Sequence, residues 1–361
     1  MTPTVMDLPW GPDFEAFSQT ARRMCEADPA GAVGEEGPRD RVGLWQQLSD
    51  LGWPDATDPT GTDGDAASLA SVLGIFVELG RALAVTPLPS AMSGHELRAL
   101  VGAPPTGTQG LSVPLLSDRQ DPHRAAMTLS GDRLTGTAMF VPYADRAEEL
   151  LVESSGEGGS RLWVVARDNP QVRVEPLPNI ADYPQFAVSF TGVMVDEADE
   201  LGAGDDVESA ISLVQQRAAV LMAAEVYGAG CSLLDKTVTY AREREQFGGP
   251  IGRFQAVQYL CTDIAVNLHL TSAFLRDAAG LLDRGECATG AVSLLRMQAA
   301  KTAQIMVHCA HEVHAGIGYM LESDIHLYTR AAKRWQFALG AHGNAHAVVS
   351  DLLGPNEEVS S

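Results

Sequence analysis

Arg244-Glu245-Gln246-Phe247-Gly248-Gly249-Pro250-Ile251-Gly252-Arg253-Phe254-Gln255 is the stretch on which the reading of this chain turns. It interrupts a long, alanine-rich helical half. Reduced to chemistry it is Arg-x-x-Phe-Gly-x-Pro-Ile-x-x-Phe-Gln. An Arg at a helix end can grip a diphosphate through its planar fork of donors. Gly248, Gly249 and Pro250 predict the end of one helix and the restart of the next. Phe247 offers an aromatic surface, and Gln255 can both donate and accept hydrogen bonds.

Working outward, residues 12–105 read as helices. One is expected over 14–24 and another over 41–51, ended by Gly52. Residues 54–65 are rich in Asp, Gly, Thr and Pro, which breaks regular structure. Residues 67–83 then form a long apolar helix containing Glu78-Leu79-Gly80-Arg81. From 111 to 202 the pattern changes to short Val, Leu and Phe runs between Gly, Pro and Asp clusters. Strands are expected at 111–116, 126–129, 150–152, 162–166, 172–176, 187–190 and 193–195, with a turn over 154–160. Helix returns from 205, where Ile211, Val214, Ala218, Leu221 and Glu225 share one face. Further helices are expected over 259–283, 289–314 and 324–353, followed by a polar tail after Gly354.

At 361 residues, 45% of them hydrophobic, the chain suits two or three packed units with sizeable cores. A net charge of -22 argues against nucleic acid and anionic membrane surfaces as partners. No apolar run is expected to span a bilayer, and the opening residues show no signal-peptide pattern. The five cysteines have no Cys-x-x-Cys spacing and suggest reduced thiols in a cytoplasmic protein.

The Arg244 loop closely resembles the flavin-contacting loop of acyl-CoA dehydrogenases. Phe76-Val77-Glu78-Leu79-Gly80-Arg81-Ala82 is similar to that family's helix before its β domain. Val141-Pro142-x-Ala144-Asp145, followed by Leu150-Leu151-Val152, is similar to a β-domain signature of shorter actinobacterial-type members. Glu312-Val313-His314-Ala315-Gly316-Ile317-Gly318-Tyr319, with Glu322, resembles the family's Gln-x-x-Gly-Gly-x-Gly segment, and Arg330-Ala331-Ala332-Lys333 follows. These matches come in the family's order and cover most of the chain. The resemblance implies an α+β fold: an N-terminal helical domain (1–108), a central β domain (109–204) and a C-terminal four-helix bundle (205–361). It implies FAD held between subunits, an acyl-CoA or other acyl thioester as substrate, α,β-dehydrogenation, and an oligomer with a like or homologous subunit. By resemblance, Arg244, Phe247 and Gln255 contact FAD from the neighbouring subunit. Glu312 stands in the cofactor segment, and Gly316 and Gly318 let the backbone approach the dinucleotide.

Three departures stand out. The family's Gln is Glu312 here, which when ionised cannot donate and repels a diphosphate. The first glycine of the pair is Ala315. The family's catalytic Glu, which removes an α-proton, is replaced in both of its usual locations: by Leu339 near the C-terminus and by Gln216 to Ala218 on the first bundle helix. Glu225, two turns further along the same stripe, is the candidate replacement base. The competing role for Glu225 is a structural ion pair. Asp351 ranks below it. His308, His311 and His314 recur every third residue, and His342 and His346 stand one turn apart, a spacing that can bind a metal on one helix face; no His-Glu-x-x-His pattern appears, so no metal is expected. Arg217 is expected to meet a CoA phosphate or to face solvent. Three functions remain open: a dehydrogenase with a displaced base, a non-catalytic subunit of a hetero-oligomeric dehydrogenase, and a repurposed fold for non-redox or biosynthetic acyl-thioester chemistry.

Overall fold

The computed structural model describes residues 10–27, 42–58, 66–104, 110–117, 127–156 and 159–340. Its elements run helix, sheet, helix along the chain. Helices α1 (Phe14–Ala27), α2 (Val42–Asp50), α3 (Leu69–Arg81) and α4 (Leu88–Leu100) come first. Eight strands follow: β1 (Ser112–Leu115), β2 (Met127–Ser130), β3 (Arg133–Pro142), β4 (Glu149–Gly156), β5 (Gly159–Ala166), β6 (Val172–Pro176), β7 (Gln185–Met194) and β8 (Glu200–Ala203). The last group is α5 (Asp205–Glu243), α6 (Gln255–Asp283), α7 (Thr289–His314) and α8 (Ile325–Ala338).

These elements form two compact units that cut across the 1–108, 109–204 and 205–361 segments. One comprises 1–39, 68–84 and 219–361; the other comprises 40–67 and 85–218. In the first unit α1 packs on α3, α6 on α7, and α7 on α8. Small residues set the closest approach: a Cβ on Gly80 would overlap the carbonyl of Glu225, and one on Gly228 the carbonyl of Val77. Asp283, the last residue of α6, caps α3 by accepting from the backbone N–H of Leu69 (2.6 Å) and Ala70 (3.0 Å).

The second unit carries the sheet, in the order β6-β7-β3-β2-β4-β5-β8, with β1 pairing parallel to β4. Its core gathers Tyr143, Trp163, Phe190 and aliphatic residues between them. A further cluster joins Leu97 of α4, Leu116, and Ile211 and Val214 of α5. The alternation of β3 is broken by register shifts, one of them between Ala138 and Val141.

The structure corrects several boundaries. The expected strands 187–190 and 193–195 are one strand, β7, which passes through a bulge at Gly192 (φ 68°), where its register against β3 shifts between Leu134 and Thr135. The expected turn over 154–160 is narrower, since Ser154 and Ser155 pair with Arg161 and Ser160. Strands β3 and β8 and helix α4 go beyond the runs singled out in the sequence. The last helix ends at Ala338; His342, His346, Asp351 and the polar tail lie outside the described residues. One helix, α5, is long and apolar enough by length and composition to cross a membrane, against expectation. Its most apolar window is 72% buried within the protein, as befits a core helix.

Candidate functional site

In the first unit the Arg244 loop is a tight corner between two helices. Helix α5 stops at Glu243, before the glycines, and α6 restarts at Gln255. The glycines therefore do not cap α5, as the sequence suggested. They turn a miniature hairpin in which Glu245 and Gln246 pair with Pro250 and Gly249. Phe247 and Gly248 make the corner with φ of 54° and 84°. That is the left-handed region, easy for Gly and unfavourable for Phe. The Phe247 ring is 87% exposed. Arg244 and Gln255 are also exposed. Among the described residues no acid pairs with Arg244.

The end of α7 lies at the root of this loop. Tyr240, whose carbonyl accepts from the Arg244 N–H, stacks on His314 with ring centroids 4.3 Å apart. His311 stacks in the same way on Tyr319 (4.4 Å), and its Nε2 lies 2.6 Å from the Thr329 hydroxyl. Nδ1 of His311 and Nε2 of His314 are buried without hydrogen-bond partners among the described residues. Burial holds both imidazoles below the usual histidine range. Ala315 adopts φ 52° and ψ -136°, a glycine conformation kept by a residue with a Cβ. A Cβ on Gly316 would meet open space, whereas one on Gly318 would lie 2.9 Å from His311 Nδ1. Gly318 is therefore small to admit its own neighbour's imidazole. Gly316 is the position open to an outside group.

These features suit a dinucleotide such as FAD. The loop offers an exposed Arg, an exposed aromatic ring and the first residue of a helix N-terminus, where anions are favoured. The α7 end offers orphaned imidazole nitrogens and a bare backbone at Gly316. Glu312 is exposed on α7 and brings a carboxylate where an amide would suit a diphosphate better.

Glu225 occupies a different setting. It is 5% exposed, Arg334 donates to its Oε2 at 2.5 Å, and the Trp335 indole N–H donates to the same oxygen at 2.9 Å. A carboxylate pinned by a guanidinium and an indole is a tie between α5 and α8. This geometry matches the structural ion pair named as the competing role for Glu225. Leu339 is 2% exposed and apolar.

In the second unit Arg217 neither faces solvent nor stands ready for a phosphate. Its Nε lies 2.6 Å from Glu96 Oε1 on α4, and both side chains are largely buried. Burial pushes the Glu96 carboxyl up to about 7, Arg217 pulls it down, and Asp58 adds to the rise. Sequence reasoning passed over Glu96, because nothing in the spacing of α4 announces that it meets α5. Next to Gln216 on the same turn, Gln215 donates to the Ser117 carbonyl at 2.5 Å. The same unit has a cleft of about 20 Å³ lined by Pro114, Leu115, Leu116 and residues 138–142. Phe140 at its edge holds a φ of 59°. No group of three or more potential metal ligands occurs among the described residues.

Comparison with known proteins places this geometry. The family model for the acyl-CoA dehydrogenase C-terminal domain matches residues 209–349. Acyl-CoA dehydrogenase FadE27 of Mycobacterium tuberculosis is 31% identical over 317 residues, covering 82% of this chain and 84% of that protein. Acyl-CoA dehydrogenase FadE28 of the same organism is 26% identical over 94% of this chain and 98% of its own length. Among solved structures, a chain of the ChsE4-ChsE5 complex from Mycobacterium tuberculosis superposes with a TM-score of 0.83 at 25% identity, covering 96% of this chain and 98% of that one.

Proposed function

The chain belongs to the acyl-CoA dehydrogenase family, and from that premise we propose that it is the supporting subunit of a hetero-oligomeric flavoprotein that dehydrogenates an acyl thioester. The observation that carries this reading is the fate of the base. Both usual positions lack a carboxylate, and Glu225 is tied to Arg334 and Trp335. The cofactor-facing parts are kept: Arg244, Phe247, Gln255 and Gly316 are exposed where a neighbouring chain could use them. The ChsE4-ChsE5 structure, a complex of two named chains, supports the same reading.

In this arrangement Arg244 holds the diphosphate, Phe247 packs against the cofactor, and the N-terminus of α6 at Gln255 favours its negative charge. When bound, FAD supplies the acceptor for the β-hydride. The α-proton is removed by a carboxylate of the partner. The test is the visible spectrum of the chain purified alone and with its homologous partner. Flavin bands that appear only with the partner, bleach with an acyl thioester and persist in Glu225→Gln support the proposal. A lone chain that is yellow and bleached by thioester sinks it. A colourless protein in both preparations that still binds a thioester points to the repurposed fold.

A second reading rests on Glu96. It is a buried carboxyl raised to about 7, beside Arg217 on the turn of α5 where some relatives place their base. If Glu96 were a base, Glu96→Gln would abolish exchange of the thioester α-proton with solvent. As a structural partner of Arg217 it leaves that exchange unchanged.

A further inference from the structure

The loop that meets the cofactor in the proposed function has an awkward shape. Phe247 and Gly248 follow each other with positive φ, and a bulky side chain resists that conformation. Something outside the corner must hold it. The side chain of Arg253 reaches back across the hairpin and donates from Nη2 to the Phe247 carbonyl and from Nη1 to the Gly248 carbonyl (3.4 Å). Its planar fork thus ties both carbonyls of the corner at once. The same guanidinium lies over the Phe254 ring at 5.0 Å, and Phe254 meets Phe247 edge to face at 6.0 Å. Gly249 makes room for this reach, because a Cβ there would come within 3.0 Å of Arg253 Nη1. Among the described residues no acid competes for Arg253, so its donors serve the loop.

We propose that Arg253 is the positioning residue of the cofactor loop, bracing the Phe247–Gly248 corner in the free chain so that Arg244 and Phe247 are set before the cofactor arrives. This rests on the reading above that the loop serves FAD. Pre-organising a loop removes its ordering entropy from the binding step. Arg253 itself needs no contact with FAD.

Four variants test this in the complex with the partner chain: Arg253→Gln, Arg253→Lys, Gly249→Ala and Arg244→Gln. FAD affinity is read by fluorescence titration, and amide hydrogen exchange of residues 246–249 is read without cofactor. Arg253→Gln and Gly249→Ala should each speed loop exchange and weaken FAD binding about tenfold, with an unchanged melting temperature. Arg253→Lys, which can still donate but lacks the fork and the stacking plane, should fall between. Unchanged loop exchange and FAD affinity in Arg253→Gln, while Arg244→Gln weakens FAD, would overturn the bracing role and leave the functional reading standing. Faster exchange in Arg253→Gln with FAD affinity unchanged there and in Arg244→Gln would overturn both, because the loop would then not serve the flavin.

Discussion

Ala315 shows how a single residue records what its backbone is for. It holds φ 52° and ψ -136°, where a Cβ is strained and glycine is at ease. Ala315→Gly should therefore stabilise the chain by about 1 kcal/mol, read as a higher melting temperature. A lower one would mean that the methyl group packs better than the geometry shows. Glu96 makes a prediction of the opposite kind. Its carboxyl lies at about 7 in the folded chain, against 4.5 for an ordinary Glu. Between those values the folded chain keeps a proton that the unfolded chain has released. Its contribution is thus full below the lower value and is lost as pH rises towards 7. Glu96→Gln should flatten that part of the stability–pH curve, by an amount on the order of 3 kcal/mol. An unchanged slope would show that Arg217 holds the carboxylate ionised throughout.

At the level of elements, two devices hold residues 219–243 of α5 within the first unit. The first is close approach through glycine: Gly80 against the Glu225 backbone and Gly228 against that of Val77. Neither contact can yield to a side-chain rotation, because each meets backbone. Gly80→Ala and Gly228→Ala should each cost about 1–3 kcal/mol, measured by denaturant unfolding. The second is the tie from Glu225 to Arg334 and Trp335. Glu225→Gln removes the charge opposite a largely buried guanidinium, with an expected loss of about 3 kcal/mol. The same variant should leave thioester α-proton exchange in the complex untouched. Lost exchange at full stability would restore Glu225 as a base.

For the whole molecule, a net charge of -22 works against self-association, while apolar side chains remain on the surface. On α6, Tyr259, Val266 and Leu270 are exposed along one stripe that also holds Asp263. Tyr319, Met320 and Leu321 add to the exposed set. A homologous partner that covers such residues would explain why they are tolerated. Tyr259→Glu should then break the complex in analytical ultracentrifugation without unfolding the chain. A complex that survives it would place the interface elsewhere.

Much of this was legible in the chain itself. Local chemistry announces helix, strand and turn, so 289–314 and 172–176 were read with the boundaries that α7 and β6 have. The Arg244 loop and the missing carboxylates at 216–218 and 339 are properties of residue type and order, which no folding can alter. The acyl-CoA dehydrogenase fold followed from those motifs in sequence. What packing alone decided are meetings between distant residues. Glu225 lies 109 positions from Arg334, and Glu96 meets Arg217 from another helix. A carboxylate on an apolar stripe looks the same in sequence whether it is a base or a tie. Its role depends on which donors the fold brings to it and how much water remains around it, and both are set by tertiary contacts.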